Sequence, residues 1–253
     1  MNNARRVARS QTRTSSVRVP ESVQPLLRRL GDLAQSRGVD AYAVGGCVRD
    51  WMVGVTGLVD LDVVVVGDGL AFAREAARSL HATLTTHEQF GTAMLALPAS
   101  VRAAPVRLDV ATARKERYAA PAAYPKVTPG TLRDDLLRRD FTINAMALAI
   151  TPEAFGRVID PFGGARDLRA KRLRVLHEES FLDDPSRILR AVRFVERFGL
   201  TLEPSTARAL RRAINENLLA RLNRGRLRKE LERITQEPDP IACLARVGRW
   251  LTT

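Results

Sequence analysis

Cysteine is nearly missing from this 253-residue chain: Cys47 and Cys243 are the only two, and they stand far apart. They exclude a disulfide-stapled scaffold and a four-cysteine zinc site, and they make a reducing compartment, the cytoplasm, the expected location. Histidine is almost as scarce, and His81, His87 and His177 show no metal-ligand spacing. No apolar run approaches the roughly 18 residues of a membrane helix, and the candidate at residues 61–66, which itself holds Asp62, is strand-sized. No membrane partner is expected, and no apolar stretch follows the basic first residues as a secretory signal requires. The absence of G-x-x-x-x-G-K-[ST] excludes a P-loop. Acidic residues are in deficit, with 28 Asp+Glu against 41 Lys+Arg, a net charge of +13. Such an excess points to a polyanionic partner. What is present is ordinary globular composition, 45% hydrophobic and 27% charged, which excludes wholesale disorder.

Residues 1–20 hold Arg5, Arg6, Arg9, Arg13 and Arg18 with no acid before Glu21, and read as a basic disordered arm. Val23, Leu26, Leu27, Leu30 and Leu33 then recur at helical spacing. Short β-rich runs follow at 39–44, 61–66, 83–86, 92–97 and 106–111, with helices predicted over 45–53 and 70–80. Pro121, Pro125 and Pro129 mark residues 119–130 as a surface loop. Residues 185–198, 204–214, 224–234 and 241–250 are all helix-patterned. The expected fold class is α+β: an α/β head with a small mixed sheet, then an all-α neck and body, with a cleft between lobes. The expected divisions are a head over 21–150, a neck over 151–200 and a partial helical body over 201–253.

Asp60 and Asp62 flank Leu61 at the entrance to an apolar strand, so both carboxylates project from one face. Two like charges held together favour a cation between them, and Mg2+ prefers such oxygens while keeping positions for substrate phosphates. A solvated acidic strand edge is the alternative. Gly45 and Gly46 follow a strand and open a helix, so bare amides can approach a triphosphate there, with Arg49 one turn on. A tight turn that simply needs glycine is the alternative.

Three ordered segments then resemble a known family. Gly45-Gly46-Cys47-Val48-Arg49-Asp50 with Asp60-Leu61-Asp62 is similar to the first signature of the class II tRNA nucleotidyltransferases, a group of CCA-adding enzymes and bacterial poly(A) polymerase relatives. Arg138-Arg139-Asp140-Phe141-Thr142-Ile143-Asn144-Ala145 resembles the second, and the segment from Asp183-Asp184-Pro185-Ser186-Arg187 through Arg190 to Arg193-Phe194 the third. The resemblance runs from about residue 39 to about 234. It implies a palm-like nucleotidyltransferase head and addition of C and/or A from CTP or ATP to a tRNA 3′ end, with release of pyrophosphate.

The resemblance further implies that Asp60 and Asp62 hold two Mg2+ ions, with Asp109 as a third carboxylate or an ordinary strand-end residue. Gly45, Gly46, Arg49 and Arg139 are expected on the nucleotide, with Asp50, Asp140 and Asn144 bracing the site. Asp184 and Arg187 are three apart, and Arg190 and Arg193 continue their stripe as further nucleotide-binding candidates. Asp184 can accept from the exocyclic amine of cytosine or adenine while Arg187 donates to the ring acceptor, whereas uracil and guanine oppose Asp184 with a carbonyl. Helix capping by Asp184 is the alternative. Arg208, Arg211, Arg212, Arg221, Arg224, Arg226, Arg228 and Lys229 suit acceptor-stem phosphates. The family runs longer than this chain, so the apolar stripe of Ile241, Leu244, Val247, Trp250 and Leu251 is expected to need a partner or further helices as cover. A poly(A) polymerase on general RNA is the alternative within this chemistry, and a non-catalytic RNA-binding protein on the same fold is the remote one.

Overall fold

The computed structural model describes residues 17–57, 60–98 and 107–252. Residues 1–16 of the expected arm lie outside these. The arm ends earlier than its charge implies, because Val19 is buried in the main core and Val17 packs against it. α1 (Gln24–Ser36) follows, with Pro25 in its first turn and Leu26, Leu27 and Leu30 buried. β1 (Asp40–Val44), α2 (Gly46–Met52), β2 (Asp60–Val66), α3 (Gly69–Leu80), β3 (Thr83–His87), β4 (Thr92–Ala96) and β5 (Arg107–Thr112) match the predicted alternation closely. Asp68 caps α3 by accepting from the Ala71 amide.

β6 (Arg114–Arg117) and β7 (Lys126–Pro129) then pair as a separate antiparallel ribbon. This corrects the loop predicted over 119–130. Pro125 precedes β7 and Pro129 ends it, and a two-stranded ribbon has an open edge on which a missing amide costs nothing. A capping box between Thr131 and Asp134 starts α4 (Leu132–Leu137). β8 (Ala147–Ala149) and β9 (Val158–Ile159) complete the main sheet, which therefore extends past the expected boundary at residue 150. The chain continues as α5 (Gly164–Arg169), β10 (Arg172–Leu173), α6 (Ser180–Asp183), α7 (Ser186–Phe198), β11 (Thr201–Leu202), α8 (Pro204–Asn215), α9 (Arg224–Thr235) and α10 (Pro240–Leu251). The rear half is helical apart from β10 and β11, which pair in parallel over two residues.

The seven-stranded sheet has the order β3-β4-β5-β2-β1-β8-β9, and within it β2 and β5 run parallel while the other pairings are antiparallel. Leu61, Val63, Val65, Leu95, Leu108 and Val110 bury one face with α1 and α3. Among the described residues the opposite face is covered at one end, where Val44, Val64 and Ala147 pack with Leu136 of α4. Phe141, Phe181 and Phe194 form a second core behind the head, with Phe141 edge-on to Phe194 at 5.7 Å between ring centres. Leu189 and Val192 of α7 join Ile234 and Cys243 in a third cluster with α9 and α10. α10 leaves Ile241 78% exposed, with Leu244 and Leu251 also exposed. Among the described residues no helix is long and apolar enough to cross a membrane.

Candidate active site

Alternation along β2 decides where the acids go. Leu61, Val63 and Val65 are buried under α1 and α3, so Asp60 and Asp62 stand on the opposite face. The parallel register sets Asp62 beside Asp109 and Asp60 beside Arg107. Asp62 is reached by solvent yet hemmed in by protein, and burial pushes its carboxyl up. Arg139 opposes that shift, while the like charges of Asp109 and Asp60 add to it. No ion pair to Asp60 or Asp62 occurs among the described residues, whereas Asp109 is paired with Arg107 at 2.9 Å.

Gly45 brings this face against the neighbouring segment. Its φ of 76° is one that side chains rarely adopt, and a Cβ there would lie 2.8 Å from Arg139 Nη1 and 3.9 Å from Asp62 Oδ2. The amide of Gly45 donates to the Met146 carbonyl, so it is not the bare phosphate donor expected. Gly46 lines the cleft. Arg49 also departs from expectation. It is buried, donates to both oxygens of Asp50 and to Asn144 Oδ1 at 2.5 Å, and lies over the Phe198 ring at 4.7 Å. Its donors tie α2 to the loop that holds Asn144, and its ring contact ties α2 to α7.

Arg139 donates from Nη2 to Asp135 at 2.9 Å, and its buried Nε has no hydrogen-bond partner among the described residues. Asp135 also accepts from Arg138. Burial pushes the Asp135 carboxyl up, but the two arginines outweigh it and hold it below the usual range. Asp140 braces the loop as expected, accepting from the Phe141 amide, Asn144 Nδ2 and Arg190 Nε and Nη2. Burial raises it, yet Arg190 and these hydrogen bonds bring it down to about 2.

Asp184 performs the capping alternative: its Oδ1 accepts from the Ser186 amide at 2.9 Å and pairs with Arg226 of α9. Arg187 is anchored by Nη1 to Ser180 Oγ at 2.6 Å and by Nη2 to the Arg138 carbonyl at 2.7 Å. Arg190 is committed to Asp140, and Arg193 to Glu237 at 2.7 Å and Glu230 at 3.1 Å. The stripe is therefore brought to the site, but Arg190 and Arg193 serve as struts between head, neck and α9 in place of the free nucleotide donors expected.

These pieces surround one cleft of about 610 Å³ between the head and α7. Gly45, Gly46, Arg49, Asp62, Arg139, Asp140, Asn144, Asp184, Arg187, Arg190 and Arg193 all line it, while Asp50, Asp60 and Asp109 do not. Nine arginines and four carboxylates face it among the described residues, which suits a polyphosphate. The sequence reading missed Asp135, Glu116, Tyr118 and Tyr124. Only Asp135 carried a signal, three and four residues before Arg138 and Arg139. Arg226 was expected on acceptor-stem phosphates and is turned inward to Asp184; Arg208, Arg211, Arg212, Arg221, Arg224, Arg228 and Lys229 remain exposed.

A sequence-family profile described as "Poly A polymerase head domain" matches residues 41–174, the region that holds the glycine turn, the Asp60–Asp62 strand and the Arg139 loop. The chain belongs to the class II tRNA nucleotidyltransferase family. The A-adding tRNA nucleotidyltransferase of Halalkalibacterium halodurans is 41% identical over 225 residues, which are 88% of this chain and 51% of that relative. A solved CCA-adding enzyme, apo form II, aligns with a TM-score of 0.83 at 44% identity over 92% of this chain and 54% of that one. The Thermotoga maritima CCA-adding enzyme complexed with tRNA-CCA aligns with a TM-score of 0.78 at 42% identity, over 92% of this chain and 52% of that one. The chain thus spans about half the length of these relatives.

The family implies divalent metal at the paired carboxylates, and the residues fit it. Asp60 and Asp62 offer hard oxygen donors on one face, and the cost of a charged Asp62, set first by burial and then by Asp109 and Asp60, is what a cation would relieve. No group of three or more His, Cys, Asp or Glu side chains able to hold a metal occurs among the described residues.

Proposed function

We propose that this chain catalyses template-independent transfer of C and/or A from CTP or ATP to the 3′ end of tRNA. The observation that carries this reading is the single cleft in which Asp62 and Arg139 of the head face Asp184 and Arg187 of the neck. It supports the reading because side chains suited to phosphates and side chains suited to a base edge line one cavity of nucleotide size. The RNA 3′-oxygen bonds to the α-phosphorus, the bond from that phosphorus to the β-bridging oxygen breaks, and pyrophosphate departs. The hydroxyl proton passes to solvent.

Asp60 and Asp62 would hold Mg2+, which when bound supplies positive charge for the attacking hydroxyl and the phosphates. Arg139, which lines the cleft, offers its guanidinium to a phosphate oxygen. Asp135 and Gly45 keep its guanidinium beside Asp62. Asp184 presents a carboxylate to the exocyclic amine of cytosine or adenine, and Arg187, fixed by Ser180 and the Arg138 carbonyl, presents the complementary donor. Asp140 and Arg190 keep the loop and α7 in register. The exposed basic face of α8 and α9 supplies affinity for the acceptor stem without reading sequence. Both described cysteines are free and buried, in keeping with work in the cytoplasm. The exposed side of α10 is read as a surface covered by further helices or a partner.

The test is Mg2+-dependent transfer onto tRNAs ending before CCA, after C and after CC, with each labelled nucleotide supplied singly and a generic oligoribonucleotide as control. Addition of only C or A that stops at the natural end supports the reading. Long A tails on any RNA establish the poly(A) polymerase alternative, and incorporation of U or G as readily as C and A overturns base selection by Asp184 and Arg187.

A further inference from the structure

We infer that Glu116 is a positioning residue for base selection: it holds the wall of the cleft in which Arg187 faces the base. The inference rests on the transfer reaction proposed above and adds what fixes its base-reading side chain. Glu116 lies on β6, outside the three sequence segments that marked the site, and its side chain is 7% exposed.

The wall is thin. A cavity of about 300 Å³, with His177 and Asp183 in its lining, lies behind the main cleft. Glu116, Tyr118, Arg138 and Arg187 line both cavities, so they form the partition between them. A side chain in a packed core is held by neighbours on every side. In a partition open on both sides, hydrogen bonds must hold it instead.

Glu116 supplies such bonds. Its Oε1 accepts from Arg138 Nη1 at 3.1 Å and Arg114 Nη2 at 2.9 Å, and its Oε2 from the Tyr118 hydroxyl at 2.8 Å. Burial and the Glu116 charge push the Tyr118 phenol well above its usual range, so it remains a donor. Arg138 passes the constraint on. Its carbonyl accepts from Arg187 Nη2 at 2.7 Å, and its guanidinium also donates to Asp135, which holds Arg139. Asp135 sits three residues before Arg138, so that contact is local to one six-residue helix. Glu116 reaches Arg138 from 22 residues away and ties the end of α4 to the ribbon. A second ion pair across this junction, Lys115 with Asp134 at 3.5 Å, is half-exposed on its lysine side and weak.

Uracil and guanine carry a carbonyl where cytosine and adenine carry the amine. A guanidinium free to shift can reach that carbonyl, whereas one fixed on the ring acceptor cannot. Loosening Arg138 therefore costs discrimination before it costs nucleotide binding.

The test is equilibrium binding of ATP, CTP, UTP and GTP to the whole chain without acceptor RNA, so that it needs no turnover. Glu116→Gln keeps the side-chain volume and an oxygen for Arg138 and removes the charge. The wild-type preference for ATP and CTP is expected to fall about tenfold in this variant, the scale of one charge-assisted contact, with tRNA affinity unchanged. In an Arg187→Ala background the same substitution is expected to leave the preference where it was, because Glu116 acts through Arg187. A role in stability alone would lower the melting temperature in both backgrounds and leave the ratio intact. Undiminished preference in folded Glu116→Gln, or a further loss in the Arg187→Ala background, overturns the inference and leaves the transferase reading standing. If Glu116→Gln does not fold, Tyr118→Phe decides, because it takes one donor from Glu116: a fall of about threefold supports the inference and an unchanged preference overturns it. Lost preference in Glu116→Gln of a chain whose wild type transfers no nucleotide supports the positioning role and removes the transferase reading. A wild type that binds all four nucleotides alike overturns base selection and this inference together.

Discussion

Asp140 sits where burial alone would keep its carboxyl protonated at mildly acidic pH, yet Arg190 and Asn144 hold it ionised down to about 2. Because its pKa is lower folded than the ~3.9 of an unfolded chain, the pair contributes stability at and above neutral pH, about 2 kcal/mol. That contribution falls away as the pH drops from about 4 toward 2. Asp140→Asn is therefore expected to lower the melting temperature at pH 7 and to flatten the wild-type decline over that acid window, both measured by thermal denaturation. Gly45 makes a separate prediction. Gly45→Ala combines a strained φ with a Cβ 2.8 Å from Arg139 Nη1, so Arg139 must leave Asp62. Destabilisation of about 1–2 kcal/mol is expected, with a larger loss in kcat than the melting shift explains; wild-type kcat in Gly45→Ala contradicts the role given to Arg139. The glycine turn and the paired aspartates were legible because both rest on local periodicity: apolar residues alternate through β2 and force the acids to one face. The counter-ions were not. Arg193 finds Glu237 and Glu230 from far along the chain, so only the folded packing of α7 on α9 reveals that these arginines are neutralised.

Among the elements, those with enough length to show a period are the ones the sequence reading located. α1, α3, α7, α8, α9 and α10 span 12 or 13 residues each, and each buries an apolar side. α4, α5 and α6, with 6, 6 and 4 residues, are too short for a stripe and were not predicted. The β6–β7 ribbon was hidden for a different reason: Arg114–Arg117 and Lys126–Pro129 are charged or polar and offer no apolar alternation. That ribbon's loop is tied to the neck by the Ala122 amide, which donates to the Leu182 carbonyl, and Arg226 reaches both the Ala122 carbonyl and Asp184. Arg226→Ala is thus expected to loosen this connection and free Asp184. Selectivity for C or A over U and G should fall several-fold, on the scale of one charge-assisted hydrogen bond, with tRNA affinity little changed. Single-nucleotide incorporation assays measure the first and filter binding the second; weakened tRNA binding with unaltered selectivity would return Arg226 to the stem-gripping role.

At the scale of the whole molecule, positive charge is divided by purpose. Arginines around the cleft are largely neutralised by Asp135, Asp140, Glu230 and Glu237 and hold the lobes together. On the exposed side of α8 and α9, Arg212 pairs with Glu179 and Glu216 and Arg228 with Glu232, so Arg208, Arg211, Arg224 and Lys229 carry most of the basic surface that the proposed function gives to RNA. Asp62, with Arg138 and Arg139, lines both the main cleft and a smaller cavity on the face of the sheet beside it. The proposed reaction puts Asp62 at the reacting centre. The most direct measurement is therefore single-turnover transfer by Asp62→Asn, with tRNA binding and melting temperature followed alongside. The account predicts that transfer falls by about three orders of magnitude or more while binding and folding persist, as expected for a group that acts on the reacting centre. Transfer within tenfold of wild type by a folded, tRNA-binding Asp62→Asn would contradict it.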